Sequence, residues 1–314
     1  MRKRFTAQNE YPRLDHFLAE KLPAMSRTQL VRLIQDGHVK LNDRTVDKKN
    51  THILAGDTAE LELPEPEKES QTYQPSMQLD ILYEDEYLVI IDKPYGISVH
   101  PGAGEKEETI FDMFRYYYPQ VEEIRNTDRA GIVHRLDKDT SGILLLAKDY
   151  HTMNRMQKQF KRREVRKAYL ALVSGQVRYR NGTIDAPIAR SPRNRTKFRV
   201  VMDNRGSIGR EKVREAVTEF SVLRQFRDFA YVKVFPLTGR THQIRVHLSY
   251  FGNPVLGDGV YGKAHTFERL ALHAYSIEFY HPHTGNLISA YSPFPKIFRQ
   301  YLADQYTAGA PLPR

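Results

Sequence analysis

The stretch Gly131–Lys148, GIVHRLDKDTSGILLLAK, decides how this chain is read. Its second half, Gly142 to Ala147, carries no charge and suits a short strand buried on both faces. Its first half sets five ionisable side chains, His134, Arg135, Asp137, Lys138 and Asp139, directly against that strand. Ionisable groups beside a buried strand are costly unless they are paired or used, so the stretch marks a candidate site on physical grounds alone. Calcium binding is the first rival. Asp137, Asp139, Ser141 and Gly142 follow the opening of a calcium loop, but the twelfth position is Lys148, whose ammonium would repel the ion.

Outward from this stretch, Ile81–Tyr83, Tyr87–Ile91, Tyr169–Val173 and Tyr231–Phe235 read as further strands. Tyr150 to Arg162 reads as a helix, with Met153, Met156 and Phe160 at helical spacing. Strands and helices interleave without a regular βαβ alternation. The expected class is therefore α+β, a mixed and mainly antiparallel sheet flanked by helices, spanning residues 79–303. Residues 64–78 hold Pro64, Pro66 and Pro75 among polar residues and read as a linker; 304–314 reads as a tail. Ahead of the linker, residues 11–63 form a small α/β module. Leu14, Phe17, Leu18 and Leu22 mark one helix, ended by Pro23. Ser26 with Gln29 opens a second, whose stripe is Leu30, Leu33 and Ile34 and whose C-cap is Gly37. Val39 and Leu41, then Ala59 to Leu63, alternate as strands do.

The 314 residues carry a formal net charge of +10 and a pI of about 9.5, which favours a polyanionic partner, nucleic acid ahead of an acidic membrane. The cations cluster. Lys161, Arg162, Arg163, Arg166 and Lys167 fall within seven residues, and Arg190 to Arg214 holds nine Lys or Arg against Asp203 and Glu211. These patches read as phosphate-binding, or else as ordinary solvated loops. No cysteine is present, which excludes disulfides, thiolate zinc sites and cysteine nucleophiles and fits a cytoplasmic protein. No apolar run reaches signal-peptide or membrane-spanning length. His242 and His247 lack a metalloprotease pattern, and neither a phosphate loop nor a dinucleotide fingerprint occurs. No metal and no cofactor are expected.

Two resemblances add to this reading. Arg13-Leu14-Asp15, Ser26-Arg27, Gly37-His38-Val39-Lys40-Leu41-Asn42 and Gly56-Asp57 resemble the S4 RNA-binding domain. That resemblance makes Arg27, Arg32 and Lys40 candidates for RNA contact, against the alternative of a solvated helix face. His134-Arg135-Leu136-Asp137-Lys138-Asp139-Thr140-Ser141-Gly142 resembles the signature of the RluA family of pseudouridine synthases. The likeness continues through Asp92-Lys93-Pro94, Arg166-Lys167-Ala168-Tyr169, Gly239 to Leu248, Gly257-Asp258 and Tyr261-Gly262, covering roughly Leu79 to Phe294.

The family resemblance implies a cofactor-free isomerase that converts uridine to pseudouridine, with Asp137 as the catalytic aspartate. It implies Arg245 as the basic partner of that aspartate, Tyr169 as the ring packed on the target uracil and Ile244 as a pocket residue. Arg135 would fill the space left by a flipped nucleotide. Tyr169 is alternatively readable as a strand core residue beside Leu170 and Leu172, and His134 and His242 read as structural rather than acid–base groups. Arg162, Arg163 and Lys167 are the expected RNA contacts near the site. The S4-plus-catalytic layout resembles members that act on large-subunit rRNA, with transfer RNA as an alternative substrate. A non-catalytic RNA-binding assembly factor would be expected to have lost one of Asp137, Tyr169 and Arg245. A monomer is expected.

Overall fold

A computed structural model of the chain describes residues 2–22, 25, 27–62, 73–101, 107–124, 130–194, 196–202, 213–264 and 267–307. Pro23, Ser26, residues 64–72 of the expected linker, residues 203–212 of the basic insertion and residues 308–314 of the tail lie outside the described residues. The chain forms two compact units, Met1–Gln74 with Pro119–Ala130, and Pro75–Tyr118 with Gly131–Arg314.

In the first unit, β1 (Arg2–Thr6), α1 (Leu14–Lys21), α2 (Arg27–Gln35), β2 (Val39–Leu41), β3 (Arg44–Thr45) and β4 (Thr58–Glu62) follow one another. The strands pair antiparallel in the order β1-β4-β2-β3. Leu14, Phe17 and Leu18 of α1 and Leu30 and Ile34 of α2 share one fully buried core with Val39, Ile53, Ala59 and Leu61. The three- and four-residue spacing puts each set on one helix face. Gly37, at φ +78°, ends α2, and the N–H of His38 reaches back to the Leu33 carbonyl at 2.9 Å. Sequence reading starts this module at residue 11, but β1 extends it to Arg2. Only Lys3 and Phe5 of that edge strand are partly buried, so the charges around them obscure the alternation. The 3₁₀ turn Pro119–Glu123, expected within the large domain, groups with this unit, and its Val121 is buried.

The second unit contains β5 (Ile81–Glu84), β6 (Leu88–Lys93), α3 (Ile110–Tyr117), β7 (Ser141–Ala147), α4 (Tyr150–Arg162), β8 (Arg166–Ser174), β9 (Asn181–Asp185), β10 (Ile188–Arg190), β11 (Phe198–Val200), β12 (Val217–Gln225), β13 (Phe229–Pro236), α5 (Gln243–Tyr250), β14 (Leu272–Tyr280), β15 (Leu287–Tyr291) and α6 (Lys296–Thr307). Among the described residues nine strands make one sheet, ordered β5-β6-β7-β14-β8-β13-β12-β9, with β15 also paired to β14. Every pairing is antiparallel except β7 with β14, so the mixed, mainly antiparallel class holds. β10 and β11 form a separate antiparallel pair. Helix α4 spans the stretch read from Met153, Met156 and Phe160, and α6 covers residues 304–307 of the segment expected as tail. No helix among the described residues is long and apolar enough to cross a membrane.

β7 lies inside the sheet and every one of its residues is buried, which is why its sequence is an unbroken apolar run. It pairs with β14 only at Ser141 and Gly142. Gly142 has φ +109°, and a Cβ there would collide with the Ala274 carbonyl, so this junction requires glycine. Beyond the junction the backbone edge of β7 is covered by the segment that leads into the candidate site. Ile132 bridges Leu146, Ala147 N–H donates to the Gly131 carbonyl at 2.8 Å, and Leu145 N–H donates to His134 Nε2 at 2.9 Å.

Candidate active site

The charged half of the opening stretch is a loop held from two sides. Below it, Lys93 at the end of β6 is fully buried, and its Nζ donates to the carbonyls of Pro94 (2.7 Å), Ile97 (2.8 Å) and Lys138 (3.0 Å). Burial pulls its pKa down to about 7, against the charges of Asp139 and Asp137, which favour the ammonium. Gly96 N–H donates to the same Lys138 carbonyl, and Thr140 N–H closes a turn onto the Asp137 carbonyl at 3.0 Å. Above it, His134 serves as a surrogate backbone acceptor for β7 and stacks on Phe160 of α4, ring centroids 4.9 Å apart. Burial, with the charge of Lys167, lowers its pKa to about 3, so the ring is a neutral acceptor, in keeping with the structural role expected of it.

Asp137 projects from this loop toward α5. Arg245 Nη1 donates to Asp137 Oδ2 at 3.3 Å. The other edge of the guanidinium is held by Asp258, with Nε to Oδ2 at 2.7 Å and Nη2 to Oδ1 at 2.8 Å. Asp258 is 1% exposed and also accepts from the backbone N–H of Val260 and Tyr261. Burial would raise the pKa of Asp258, but these bonds and the charge of Arg245 hold it below the usual carboxylate range. Burial likewise opposes the charge on Arg245, and Asp258 and Asp137 more than offset it, so its pKa is raised. A planar fork fixed along one edge presents its remaining nitrogen at a defined place. Asp258 thus aims Arg245, and Arg245 aims Asp137.

The start of α5 is positioned by a buried glutamine. Gln243 Oε1 accepts from Thr238 Oγ1 (2.7 Å) and Arg240 N–H (3.0 Å), while its Nε2 donates to the Val217 carbonyl and Thr218 Oγ1. All four polar contacts of the amide are satisfied inside the protein, and the loop after β13 is pinned to β12. Asp137 and Arg245 line a cleft of about 490 Å³, together with Tyr169 on β8, Ile244 on α5, and Arg135, Arg163 and Lys167. Tyr169 is half-buried, and burial, then the charge of Asp137, raises its pKa, so the ring remains a phenol. Ile244 is buried and Arg135 exposed at the cleft wall. Arg163 ends α4 in the left-handed region at φ 62°, and burial lowers the Lys167 pKa to about 8.

This combination of a fixed carboxylate, a counter-ion, a phenol ring and a cationic rim suits chemistry on a planar, electrically neutral base attached to phosphates. Comparison with known proteins agrees. Residues 87–250 match the family model for RNA pseudouridylate synthase, more than half of the chain, and residues 12–58 match that for the S4 domain. The chain belongs to the RNA pseudouridylate synthase family. It is 39% identical over 286 residues to the uncharacterized RNA pseudouridine synthase YlyB of Bacillus subtilis, covering 90% of this chain and 91% of that one. It is 36% identical over 299 residues to ribosomal large subunit pseudouridine synthase D of Escherichia coli, covering 90% and 87%. Among solved structures it resembles human RNA pseudouridylate synthase domain containing 4, with 27% identity, a TM-score of 0.57, and 72% and 93% of the two chains covered.

Within this pseudouridylate synthase, the residues expected at the base and at the carboxylate come together in one cleft, as do Arg163 and Lys167. Arg162 does not line it; its exposed side chain lies 3.8 Å from Glu164. Arg27, Arg32 and Lys40 belong to the first unit. Arg32 and Lys40 are exposed, Arg32 within 3.8 Å of Asp36. Arg27 Nε donates to the buried Asp15 at 2.8 Å, alongside Arg13, so Arg27 also anchors α2 to α1. Lys93, Gln243, Asp258 and Tyr261 fall within the family-like motifs, but the sequence alone assigns them no task. The available signal was a lysine and a glutamine among residues otherwise suited to burial, which demand partners.

Proposed function

We propose that this enzyme isomerises uridine to pseudouridine in large-subunit ribosomal RNA, with Asp137 as its catalytic carboxylate. The observation that carries the reading is the line Asp258–Arg245–Asp137 opening into a cleft that also holds Tyr169 and Ile244. Pseudouridine formation breaks the bond between uracil N1 and ribose C1′, turns the base, and joins C5 to C1′. A carboxylate serves each route open to it: attack at C1′, attack at C6, or removal of the C2′ proton. All three need it held at a fixed point beside the nucleotide, which Arg245 supports. Tyr169 offers a flat face to a base withdrawn from its stack, and Ile244 an apolar wall for it. Arg135 takes the place the nucleotide leaves, and Arg163 and Lys167 hold phosphates at the rim. Arg162 gives further backbone attraction outside the cleft.

The S4 segment supplies RNA affinity through Arg32 and Lys40, with Arg27 contributing from its anchored position. The choice of large-subunit RNA rests on the relatives named for that substrate, the cytoplasm as compartment follows from it, and the enzyme works as a monomer. The test is pseudouridine mapping of total RNA from cells with the gene, without it, and with Asp137→Asn. Sites lost in the deletion should lie in large-subunit RNA and stay lost in the variant. Sites in transfer RNA instead would overturn the substrate, and modification by Asp137→Asn would overturn the assignment of Asp137.

A further inference from the structure

His242 sits where α5 begins, in the left-handed region at φ 56°. A non-glycine residue held there is strained, and such strain gathers at functional sites. The ring lies between two groups. Its Nδ1 is 2.9 Å from the Tyr261 hydroxyl, and its Nε2 is 4.0 Å from Asp137 Oδ2.

The hydrogen-bond network fixes the tautomer. Tyr261 Oη accepts the N–H of Phe198, a β11 residue, at 2.8 Å. Burial raises the Tyr261 pKa, so the phenol keeps its own proton. Among the described residues His242 Nδ1 is the one acceptor in reach of that proton. A proton on Nδ1 would deprive the half-buried phenol of this acceptor. Nδ1 is therefore the acceptor, and the ring proton is on Nε2, facing Asp137. Burial lowers the His242 pKa; Arg245 and Arg135 act the same way, while Asp137 and Asp258 oppose them. The neutral ring with an Nε2–H results.

We propose that His242 is a second positioning residue for Asp137, its Nε2–H directed at the carboxylate by the Tyr261 hydroxyl. At 4.0 Å this donor is in reach but not yet spent, and catalytic hydrogen bonds that are long in the free enzyme tighten when substrate closes the site. Arg245 holds Asp137 Oδ2 from the α5 side. As the carboxylate advances on the nucleotide, the Nε2–H keeps it in line. The inference rests on Asp137 being the catalytic carboxylate.

Substitutions at His242 separate this role from a backbone one, because the two predict opposite orders. Glutamine can place an N–H where Nε2 stands but is a poor left-handed residue. Asparagine tolerates that backbone well but is too short to reach Asp137. With the full-length enzyme and transcribed large-subunit RNA labelled with tritium at uracil C5, release of tritium gives kcat and KM. His242→Asn and His242→Phe should lose roughly ten- to a hundred-fold in kcat with KM within about twofold. His242→Gln should retain clearly more kcat than His242→Asn. Tyr261→Phe, which keeps the ring and removes only the hydroxyl, should also lower kcat.

An order with Asn equal to or above Gln, or a loss confined to KM, overturns the proposal. Should the His242 variants fail to fold, an unchanged kcat in Tyr261→Phe overturns it and a lowered one at constant KM supports it. Asp137→Asn runs in parallel. Activity there removes the underlying reading, whereas an inactive Asp137→Asn beside an Asn-over-Gln order removes this inference alone.

Discussion

Arg245 does two jobs with one planar group, and that division predicts what a conservative change would do. Its Nε and Nη2 are committed to Asp258, leaving Nη1 for Asp137. Lysine keeps the charge but is a point donor that cannot hold both carboxylates at fixed angles. Arg245→Lys should cost about 2–3 kcal/mol of transition-state stabilisation, which is roughly a hundredfold in kcat, in single-turnover tritium release. A rate within about threefold of wild type would show that aim is unimportant. At this scale the chain was legible where chemistry is written contiguously. Asp137 stands in a charged run that makes no sense as core, and Arg245 in a motif that resembles a known one. Asp258 was not legible as the partner of Arg245, because the loop after α5 folds back on that helix and only the fold brings the two together. Gln243 escaped for the same reason: all four of its partners lie on β12 and the loop after β13.

Among the elements, β7 carries the largest structural consequence. Among the described residues its pairing with β14 is the one parallel pairing in the sheet, and it falls at Ser141 and Gly142, a few residues after Asp137. A side chain at residue 142 would collide with the Ala274 backbone, which cannot rotate away as a side chain could, and φ +109° is strained for any L residue. Gly142→Ala should therefore lower the melting temperature sharply, by several degrees or more, and lower kcat further than stability alone accounts for, since the junction sets the end of the Asp137 loop. Circular dichroism melts and tritium release on the same preparation check it; a variant that melts with wild type would show that the close approach is relieved cheaply.

The strands with unbroken apolar runs, β7 and β8, and the amphipathic α4 were legible because burial writes itself into composition and period. β1 was not, since an edge strand buries one face and here fills the other with arginine. β9 to β12 were not distinguished either. The β10–β11 pair is three residues long on each side, too short to show an alternation, and only β11 lies wholly within the basic segment Arg190–Arg214.

For the molecule as a whole, what binds the catalytic unit is also what makes it sensitive to acid. A buried hydrogen-bonded line runs through the sheet beneath the site. Arg269 Nη1 donates to Ser141 Oγ (3.0 Å), Ser141 faces His273 Nδ1 (2.9 Å), His273 Nε2 faces Ser292 Oγ (2.9 Å), and Ser292 donates to Asp92 Oδ1 (2.8 Å). Arginine can only donate and the carboxylate can only accept, so each hydroxyl passes its proton along the line and His273 is neutral, protonated on Nε2. Burial, aided by the charge of Arg269, lowers the His273 pKa to about 4, and His134 lies at about 3.

An unfolded histidine titrates near 6.5, so below about that pH the unfolded chain takes up protons that the folded one refuses. The stability these two rings carry is complete above about pH 6.5 and drains as pH falls through the folded values. Asp258, depressed through Arg245, adds to the loss once pH passes below the ordinary carboxylate range. Asp92, raised by burial, acts with the opposite sign and offsets part of it. The melting temperature should thus decline from about pH 6.5 toward pH 4, before most carboxylates titrate. His273→Leu should be less stable at neutral pH, since Ser141 and Ser292 lose their shared partner, yet show a shallower decline over that window. Melts at half-unit pH steps decide the matter, and parallel slopes for variant and wild type would mean that His273 takes up its proton without unfolding the protein.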